Sequence, residues 1–329
     1  MQTYIQELAE RIQQQIIGQE ILVERLLIAL LADGHLLVEG PPGLAKTRAV
    51  RTLSDQIEGD FHRIQFTPDL LPADLTGTDI YRPQDGSFHF LPGPLFHNLI
   101  LADEINRAPA KVQSALLEAM AERQITVGGT TYPLPPLFLV MATQNPLEHE
   151  GTYPLPDAQL DRFLLHVRVS YPDLDASRKI LQLTRNEART STHSLPAPVP
   201  LAQEQLFTAR NQVLDVYMSE KLESYILHLI ELTRSRRTFH LQSSGPPSSP
   251  GQQNRWILYG ASPRGAIALD RCSRAHAWLK GRDFVTPEDI QTMARDVLRH
   301  RVLLTFEAEA EGISPDMVID SLLEQVPVP

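Results

Sequence analysis

Residues 40–47 read Gly40-Pro41-Pro42-Gly43-Leu44-Ala45-Lys46-Thr47. An apolar run at 35–39, typical of a buried strand, precedes them, and a stretch at 48–57 that predicts a helix follows. A glycine-containing loop that ends at a helix N-terminus directs free backbone N–H groups and the positive end of the helix dipole toward an anion. The stretch therefore predicts a phosphate-binding loop within an α/β fold.

Two side chains at the end of this loop would act on a nucleotide. Lys46 would reach its β- and γ-phosphates, and the hydroxyl of Thr47 would bind Mg²⁺. The loop alone leaves open a plain strand-to-helix turn with Lys46 as a solvated charge. Ala45 occupies the position of the usual second glycine, which the loop tolerates if the φ angle of Ala45 is negative.

Length and composition limit the class of protein. A chain of 329 residues with 42% hydrophobic content is long enough for two domains. Its formal net charge of −10 argues against a general nucleic-acid or anionic-membrane surface, since both need clustered Lys and Arg. The single cysteine, Cys272, excludes an intrachain disulfide framework and a multi-cysteine metal site. The polar N-terminus and the lack of a membrane-length apolar run predict a cytoplasmic protein without membrane insertion.

Strand-like and helix-like stretches alternate after the loop. The strand-like runs lie at 61–66, 99–102, 137–142 and 164–169. Such alternation predicts a parallel sheet with helices on both faces. In such sheets, ligands bind at the carboxyl ends of the strands.

Polar residues follow two of these strands. Asp103 and Glu104 come directly after the run at 99–102, where Asp103 can hold Mg²⁺ through its waters and Glu104 can polarise a water for attack on the γ-phosphate. Asn145 follows the next strand and can donate and accept hydrogen bonds around that water. Taken singly, these residues are also typical of a solvated strand end and of a turn.

Three segments outside the predicted sheet allow more than one interpretation. Ile16-Ile17-Gly18-Gln19 interrupts two helical runs just before the loop, and it fits an adenine pocket and a helix–helix corner equally well. The excursion at 67–94 and the Gly128-Gly129 turn within 124–132 predict hairpins. These hairpins could contact a partner, although surface decoration is the commoner reason for them.

Helical periodicity dominates after residue 172 and predicts an all-α second domain at 173–329, following a first domain at 1–172. Within it, 243–253 is rich in Ser, Pro and Gly and predicts a mobile loop. Arg264 falls in the first turn of a predicted helix, where it could face a phosphate. Arg162 precedes the last strand of the sheet, either as a surface salt bridge or as an arginine inserted into a neighbouring subunit's nucleotide site.

Together these motifs resemble those of the MoxR family of AAA+ ATPases, and the resemblance covers nearly the whole chain. The family also has alanine before the loop lysine. The matching stretches are Ile16 to Gln19, Gly40 to Thr47, Ala102 to Arg107, Ala142 to Pro146, Glu150 to Pro156 with Asp161 to Phe163, and Gly260 to Arg264.

The resemblance implies a P-loop fold with a five-stranded parallel sheet of order 5-1-4-3-2, helices on both faces, an all-α lid and assembly into a ring, usually a hexamer. The excursion at 67–94 resembles the family's helix-2 insert, and 124–132 resembles its pre-sensor hairpin. The implied roles are Asp103 and Thr47 at Mg²⁺, Glu104 as base, Asn145 as first sensor, Arg162 as arginine finger and Arg264 as second sensor. The implied nucleotide-binding residues are Ile17, Gly18, Gly40, Pro41, Pro42, Gly43, Leu44, Ala45, Lys46, Thr47, Arg48 and Asp103.

The resemblance also implies an ATP-hydrolysing ring that acts as a chaperone-like remodelling or maturation factor. Such proteins act with von Willebrand factor A domain partners, sometimes in metal or cofactor insertion. A nucleic-acid motor is the alternative; the acidic composition and the absence of lysine from 124–132 weigh against it. A nucleotide switch with hardly any turnover is a third interpretation, disfavoured by the presence of Lys46, Asp103, Glu104 and Asn145.

Overall fold

A computed structural model describes residues 2–44, 46–84, 86–146, 151–190, 200–234 and 256–329, with the backbone alone at 187–190. Two predictions, the conformation of Ala45 and the loop at 243–253, lie outside these residues. The helices are α1 Gln2–Gln15, α2 Glu20–Leu31, α3 Lys46–Ser54, α4 Pro72–Thr76, α5 Ala110–Glu122, α6 Asp157–Leu160, α7 Leu174–Thr190, α8 Gln203–Leu214, α9 Glu220–Arg234, α10 Pro263–Leu279, α11 Pro287–Leu298, α12 Phe306–Ala310 and α13 Pro315–Gln325.

Within the described ranges, the strands form one parallel sheet and three small antiparallel pairs. They are β1 Leu36–Glu39, β2 Phe61–Gln65, β3 Gly77–Arg82, β4 Ser87–Pro92, β5 Leu99–Asp103, β6 Gln124–Val127, β7 Thr130–Pro133, β8 Leu139–Gln144, β9 Leu165–Arg168, β10 Ile257–Tyr259 and β11 Leu303–Leu304. The parallel sheet has the order β2-β5-β8-β1-β9. Numbered along the chain within this sheet, the order is 5-1-4-3-2, which confirms the predicted fold.

The central strands are apolar because helices cover both faces of a parallel sheet. In β5 and β8 the residues before the strand tip are buried, and only the last residue of each, Asp103 or Gln144, is partly accessible. Phe66, Phe138 and Phe163 are among the largest fully buried side chains of the core. Burying each contributes about 1.5–3 kcal/mol. The hydrophobic core therefore holds the strands in place, and polar residues lie at the carboxyl ends of the strands, on one side of the sheet.

Both predicted hairpins form, and they pack against each other. β3 pairs with β4 over the segment 77–92, and β6 pairs with β7 across the Gly128-Gly129 turn. The rings of Phe90 and Tyr132 stack with centroids 4.1 Å apart and an interplanar angle of 13°. This stacked aromatic contact joins the two hairpins.

The chain divides into two compact units, residues 1–211 and 212–329. The sequence predicts domains at 1–172 and 173–329, whereas the described residues within 173–190 and 200–211 group with the first unit, which contains the sheet. One cause is Arg210 on α8, whose Nε donates to the backbone oxygen of Leu30 at 2.9 Å and whose Nη1 lies 2.7 Å from Asp33 Oδ1. The functional boundary between nucleotide-binding domain and lid stays a prediction.

The described residues of the second unit, 212–234 and 256–329, form helices as predicted, together with the small pair of β10 and β11. These strands have three and two residues, too few for a periodic pattern to reveal them. Among the described residues, no helix is both long enough and apolar enough to span a membrane.

Candidate active site

The predicted phosphate loop connects the end of β1 to the start of α3, and two of its glycines are required for different reasons. Gly43 has a φ angle of +82°, a left-handed conformation that favours glycine. At Gly40 a side chain would collide, since a Cβ would lie 2.4 Å from Cγ2 and 2.7 Å from the carbonyl oxygen of Val169. The Gly40 N–H donates to the Gln144 oxygen at 3.2 Å, which ties the loop to the tip of β8.

The side chains of Lys46, Thr47 and Arg48 are partly buried in the first turn of α3. The Lys46 ammonium donates to the Gly40 carbonyl oxygen at 2.7 Å, so it folds back over the loop. The first N–H groups of a helix have no intrahelical acceptor. A lysine, helix N-terminal amides and the Thr47 hydroxyl thus lie within one turn of backbone. A Cβ at Gly43 would meet no atom within 4 Å, so the loop leaves open space for a ligand. This donor set fits a phosphate chain with Mg²⁺.

The Ile16-Ile17-Gly18-Gln19 segment both connects α1 to α2 and lines a cavity of about 90 Å³ beside the loop. The helix–helix corner is confirmed, and adenine binding by this segment stays a prediction. The cavity is lined by Gln15, Ile16, Ile17, Gln19, Gly43, Leu44, Arg48, Pro172, Ile180, Leu183 and Thr184. Ligand pockets usually measure about 300–1,000 Å³, so this cavity fits one part of a nucleotide, such as its base.

The sequence patterns did not reveal that Ile180, Leu183 and Thr184 of α7 line this cavity. Gly18 has a φ angle of +74°, and a Cβ there would lie 2.9 Å from the Cβ of Ala176 and 3.0 Å from that of Pro172. The helical spacing of Ile180 and Leu183 on α7 was the available signal.

The Asp103–Glu104 pair stands at the tip of β5 and is joined to β8 by a threonine. The Thr143 hydroxyl donates to Asp103 Oδ1 at 2.6 Å and accepts from the Glu104 N–H at 2.9 Å. Thr143 is buried, with 1% exposure. Sequence reasoning did not assign it a role, although its position at the strand tip, two residues before Asn145, was a signal.

Glu104 has an unusual backbone, with φ 58° and ψ 51°. Residues other than glycine are uncommon in this left-handed region, and the conformation costs roughly 1–2 kcal/mol. The turn directs the chain from β5 into the short 3-10 helix Ile105–Arg107. Both polar partners of the Glu104 side chain contact Oε2: the Gln65 amide donates at 2.8 Å, and Arg107 Nε lies at 3.0 Å.

A second network reaches the same carboxylates from β2. Arg63 donates to Asp103 Oδ2 through Nε at 3.1 Å and through Nη2 at 2.6 Å, and Nη2 also donates to Gln65 Oε1 at 3.1 Å. In the β2–β5 register Gln65 lies opposite Asp103. Sequence reasoning missed Arg63 and Gln65. Their alternation with Ile64 in β2 places both on one face of the strand and was the available signal.

An ionised glutamate, Glu39, directly precedes the phosphate loop. Glu39, the last residue of β1, accepts from His166 Nε2 at 2.9 Å and from Arg168 Nε at 3.2 Å, both on β9. The hydrogen bond from His166, together with Arg168, lowers the pKa of Glu39 to about 2, although burial acts in the opposite direction. The carboxylate of Glu39 thus joins β1 to β9 at the residue before Gly40.

The remaining predicted residues occupy different surroundings. Asn145 is buried, with 6% exposure, just past the tip of β8. Arg162 follows α6, and its Nη1 donates to the Leu117 oxygen of α5 at 2.6 Å, so its contact is with backbone rather than with an acid. Arg264 is exposed in the first turn of α10 in the second unit, where its N–H donates to the Ser262 cap at 3.1 Å. The catalytic roles of these three residues stay predictions.

Comparison with known proteins agrees with this arrangement. Residues 35–165 match the model of the ATPase family associated with various cellular activities (AAA), and residues 253–322 match the AAA lid domain. Chaperone MoxR1 of Mycobacterium tuberculosis is 44% identical over 316 residues, which are 95% of this chain and 79% of the relative. The chain belongs to the MoxR family of AAA+ ATPases.

Further MoxR relatives support the assignment. Protein MoxR of Methylorubrum extorquens is 34% identical over 95% of this chain and 92% of its own length. The crystal structure of a Cytophaga hutchinsonii protein described as an ATPase superposes with a TM-score of 0.86 at 45% identity, covering 100% of this chain and 96% of that one. More distantly, the magnesium-chelatase subunit ChlI of Nicotiana tabacum is 29% identical over 66% of this chain and 46% of its own length.

Proposed function

We propose that this MoxR-family protein hydrolyses ATP to ADP and phosphate in a ring of identical subunits, and that the cycle remodels or matures protein clients. The observation that carries the proposal is the meeting of the phosphate loop and the Asp103–Glu104 pair at one edge of the sheet. Only β8 separates β1 from β5. With strands about 4.8 Å apart, the two tips lie roughly 10 Å apart, a gap suited to a γ-phosphate and its metal.

Each residue at this edge has a distinct role in the proposal. Lys46 and the amides of the loop and of α3 hold the phosphates, and Ile17 and Gly18 border the base. Thr47 and Asp103 would hold Mg²⁺, Asp103 largely through water. Bound Mg²⁺ would supply positive charge that neutralises the phosphate oxygens.

The hydrolytic step uses Glu104 and Asn145. A water oxygen bonds to the γ-phosphorus while the bond from that phosphorus to the β–γ bridging oxygen breaks. Glu104 accepts the proton of the water, and Asn145 orients the water by hydrogen bonding. Because Gln65 and Arg107 both contact Oε2 of Glu104, the Oε1 atom is the proposed proton acceptor.

Arginines complete the proposed site. Arg162 of a neighbouring subunit stabilises charge on the transferring phosphoryl group, and Arg264 of the lid senses the γ-phosphate. Both roles follow the family resemblance. Such a site contains residues from two chains, so the proposed ring, a hexamer by resemblance, is required for turnover.

The proposed partner is a protein with a von Willebrand factor A domain, and insertion of a metal or cofactor is the proposed outcome for some clients. Support comes from the family resemblance and from relatives whose names include a chaperone and a magnesium-chelatase subunit. An acidic chain with net charge −10 suits protein clients better than nucleic acid.

A capture experiment tests this function. Glu104→Gln protein, expected to hold ATP without hydrolysis, is used as bait with ATP and Mg²⁺, and Lys46→Ala protein is the control. Enrichment of a von Willebrand factor A domain protein on the first bait alone is expected. The nucleic-acid motor is tested separately, since excess single-stranded or duplex DNA is expected to leave ATPase unchanged. A large stimulation by DNA would favour the motor.

A further inference from the structure

Arg63 occupies the carboxylate that the proposed metal site needs. Its guanidinium places Nε and Nη2 at 3.1 and 2.6 Å from the same oxygen, Asp103 Oδ2. The other oxygen, Oδ1, accepts from Thr143. A carboxylate offers about four acceptor positions, so three of those on Asp103 are already used.

We propose that Arg63 is a built-in cation that competes with Mg²⁺ for Asp103 and thereby sets the metal concentration at which this site loads. The inference rests on the proposed nucleotide site. Asp103 holds Mg²⁺ through water in that site, and a metal-bound water needs an acceptor position on Asp103. One acceptor position stays open beside the three in use, so a second metal-bound water on Asp103 requires Arg63 to yield one of its two hydrogen bonds.

The surroundings of Arg63 allow it to yield. Its side chain is 49% exposed, whereas that of Asp103 is 14% exposed. β2 is an edge strand of the sheet, so Arg63 has solvent available on one side. Half-exposed ion pairs of this kind are weak, because water solvates the released guanidinium. A divalent cation can thus displace Arg63 at small cost.

Displacement of Arg63 would also change the hydrogen bonds around Glu104. Arg63 Nη2 donates to Gln65 Oε1, and the amide of the same Gln65 donates to Glu104 Oε2. These residues form an unbroken chain from the metal carboxylate to the proposed base. Arg63 acts through Asp103 and Gln65, and is therefore a positioning residue rather than a catalytic one.

A neutral substitution separates this role from a purely structural one. In Arg63→Gln, the Mg²⁺ concentration that half-saturates binding of a fluorescent, non-hydrolysable ATP analogue is expected to fall roughly two- to fivefold, the range for losing one partly exposed ionic competitor. Arg63→Lys keeps the charge without the fork and is expected to shift less. Arg82→Gln, an exposed β3 residue with the same charge change, is the matched control and is expected to show no shift.

Direct metal binding provides a second readout. Mn²⁺ is titrated against each variant, with and without the analogue, and free Mn²⁺ is followed by electron paramagnetic resonance. Tighter Mn²⁺ binding by Arg63→Gln supports the inference. If Arg63→Gln needs the same or a higher metal concentration than the wild-type protein, the inference is overturned. It is also overturned if Arg63→Gln loses as much affinity for the analogue without metal as with it, because Arg63 would then be a phosphate ligand. Failure of the wild-type protein to bind the analogue at any Mg²⁺ concentration contradicts the proposed function instead, and the metal-only titration still decides the role of Arg63.

Discussion

The hydroxyl of Thr143 donates a hydrogen bond of 2.6 Å to Oδ1 of Asp103. This bond joins the tips of two neighbouring strands, β5 and β8, and fixes the orientation of the carboxylate. The same hydroxyl accepts from the backbone of Glu104, the residue with the left-handed conformation. The geometry of both acidic residues therefore depends on one buried threonine.

Replacement of Thr143 by valine keeps the shape and removes both hydrogen bonds. A bond to a charged group contributes about 1.5–3 kcal/mol, so ATP hydrolysis is expected to fall roughly 10- to 100-fold. Thr143→Ser retains the hydroxyl and is the matched control, expected to keep most activity. Steady-state phosphate release gives the rates, and thermal unfolding verifies that both variants are folded. Equal rates for the two variants would show that the hydroxyl is dispensable.

Lys46→Ala is expected to abolish nucleotide binding, whereas Glu104→Gln is expected to retain ATP and lose hydrolysis. Lys46 would contact ground-state phosphates, while Glu104 would act on the water, a contribution of about 10²–10⁴ in rate. A fluorescent-nucleotide titration and an ATPase assay separate the two effects. Lys111→Ala, at an exposed position of α5 with the same charge change, should leave both unaffected. Full turnover by Glu104→Gln would remove Glu104 from the mechanism.

Acid sensitivity is expected at His35, a buried residue just before β1. Its Nδ1 accepts from the Val140 N–H at 3.1 Å, so the neutral ring carries its proton on Nε2, which lies 3.3 Å from the Met120 oxygen. Burial, and next the charge of Arg123, lower the pKa of His35 from 6.5 to about 4. Between pH 6.5 and 4, His35 is therefore protonated in the unfolded chain but neutral in the folded protein. The free energy of unfolding decreases as the pH falls through this window.

The size of this effect is at most about 1.4 kcal/mol per pH unit, or roughly 3 kcal/mol in all. Urea unfolding at pH 7, 5.5 and 4.5 measures it. His35→Gln cannot titrate and is expected to show a shallower loss with acid than the wild-type protein, whatever its stability at pH 7. His89→Gln, at an exposed position of β4, is the control. Parallel pH dependences for wild type and His35→Gln would contradict the assignment.

Nucleotide is expected to drive assembly of the ring. A ligand bound between subunits stabilises the assembled state by mass action. Light scattering at micromolar protein, with and without ATP and Mg²⁺, should show a larger particle with nucleotide. Lys46→Ala, which should not bind nucleotide, is expected to remain at the smaller size. A monomer under both conditions would contradict the shared site.

Arg162→Ala and Glu104→Gln are each expected to leave almost no turnover, and mixing them is expected to restore activity. An arginine finger contributes about 10³–10⁵ in rate in other phosphoryl-transfer enzymes. Where an Arg162→Ala subunit supplies Glu104 and its Glu104→Gln neighbour supplies Arg162, the interface is intact. Random equal mixing in a head-to-tail ring restores about a quarter of the interfaces.

The control for this experiment mixes Glu104→Gln with Lys46→Ala, because both defects lie on the same side of the interface and no intact site can form. Subunit exchange is verified with labelled protein. If exchange occurs and the Arg162→Ala mixture stays inactive, Arg162 does not act on a neighbouring subunit, and the hydrogen bond from its Nη1 to Leu117 is structural.

The sequence by itself determined the phosphate-loop motif, the strands of the parallel sheet with the helices between them, both hairpins and the acidic pair after β5. These features are local, because the periodicity of a strand or helix depends on neighbouring residues. Phosphate binding by the loop is likewise predicted from three nearby residues, Gly43, Lys46 and Thr47. Together with the resemblance, they also predicted the sheet order that the structure confirms.

The tertiary structure alone decided which side chains meet at the strand tips. Arg63, Asp103 and Thr143 are separated from one another by 40 residues at each step, and they touch because β2, β5 and β8 pair in one register. A slip of one residue would turn each side chain to the opposite face. The contact between Arg210 on α8 and Asp33, just after α2, is likewise absent from any local pattern. Long-range pairing of this kind depends on the packed core as a whole, so the sequence pattern could not reveal it.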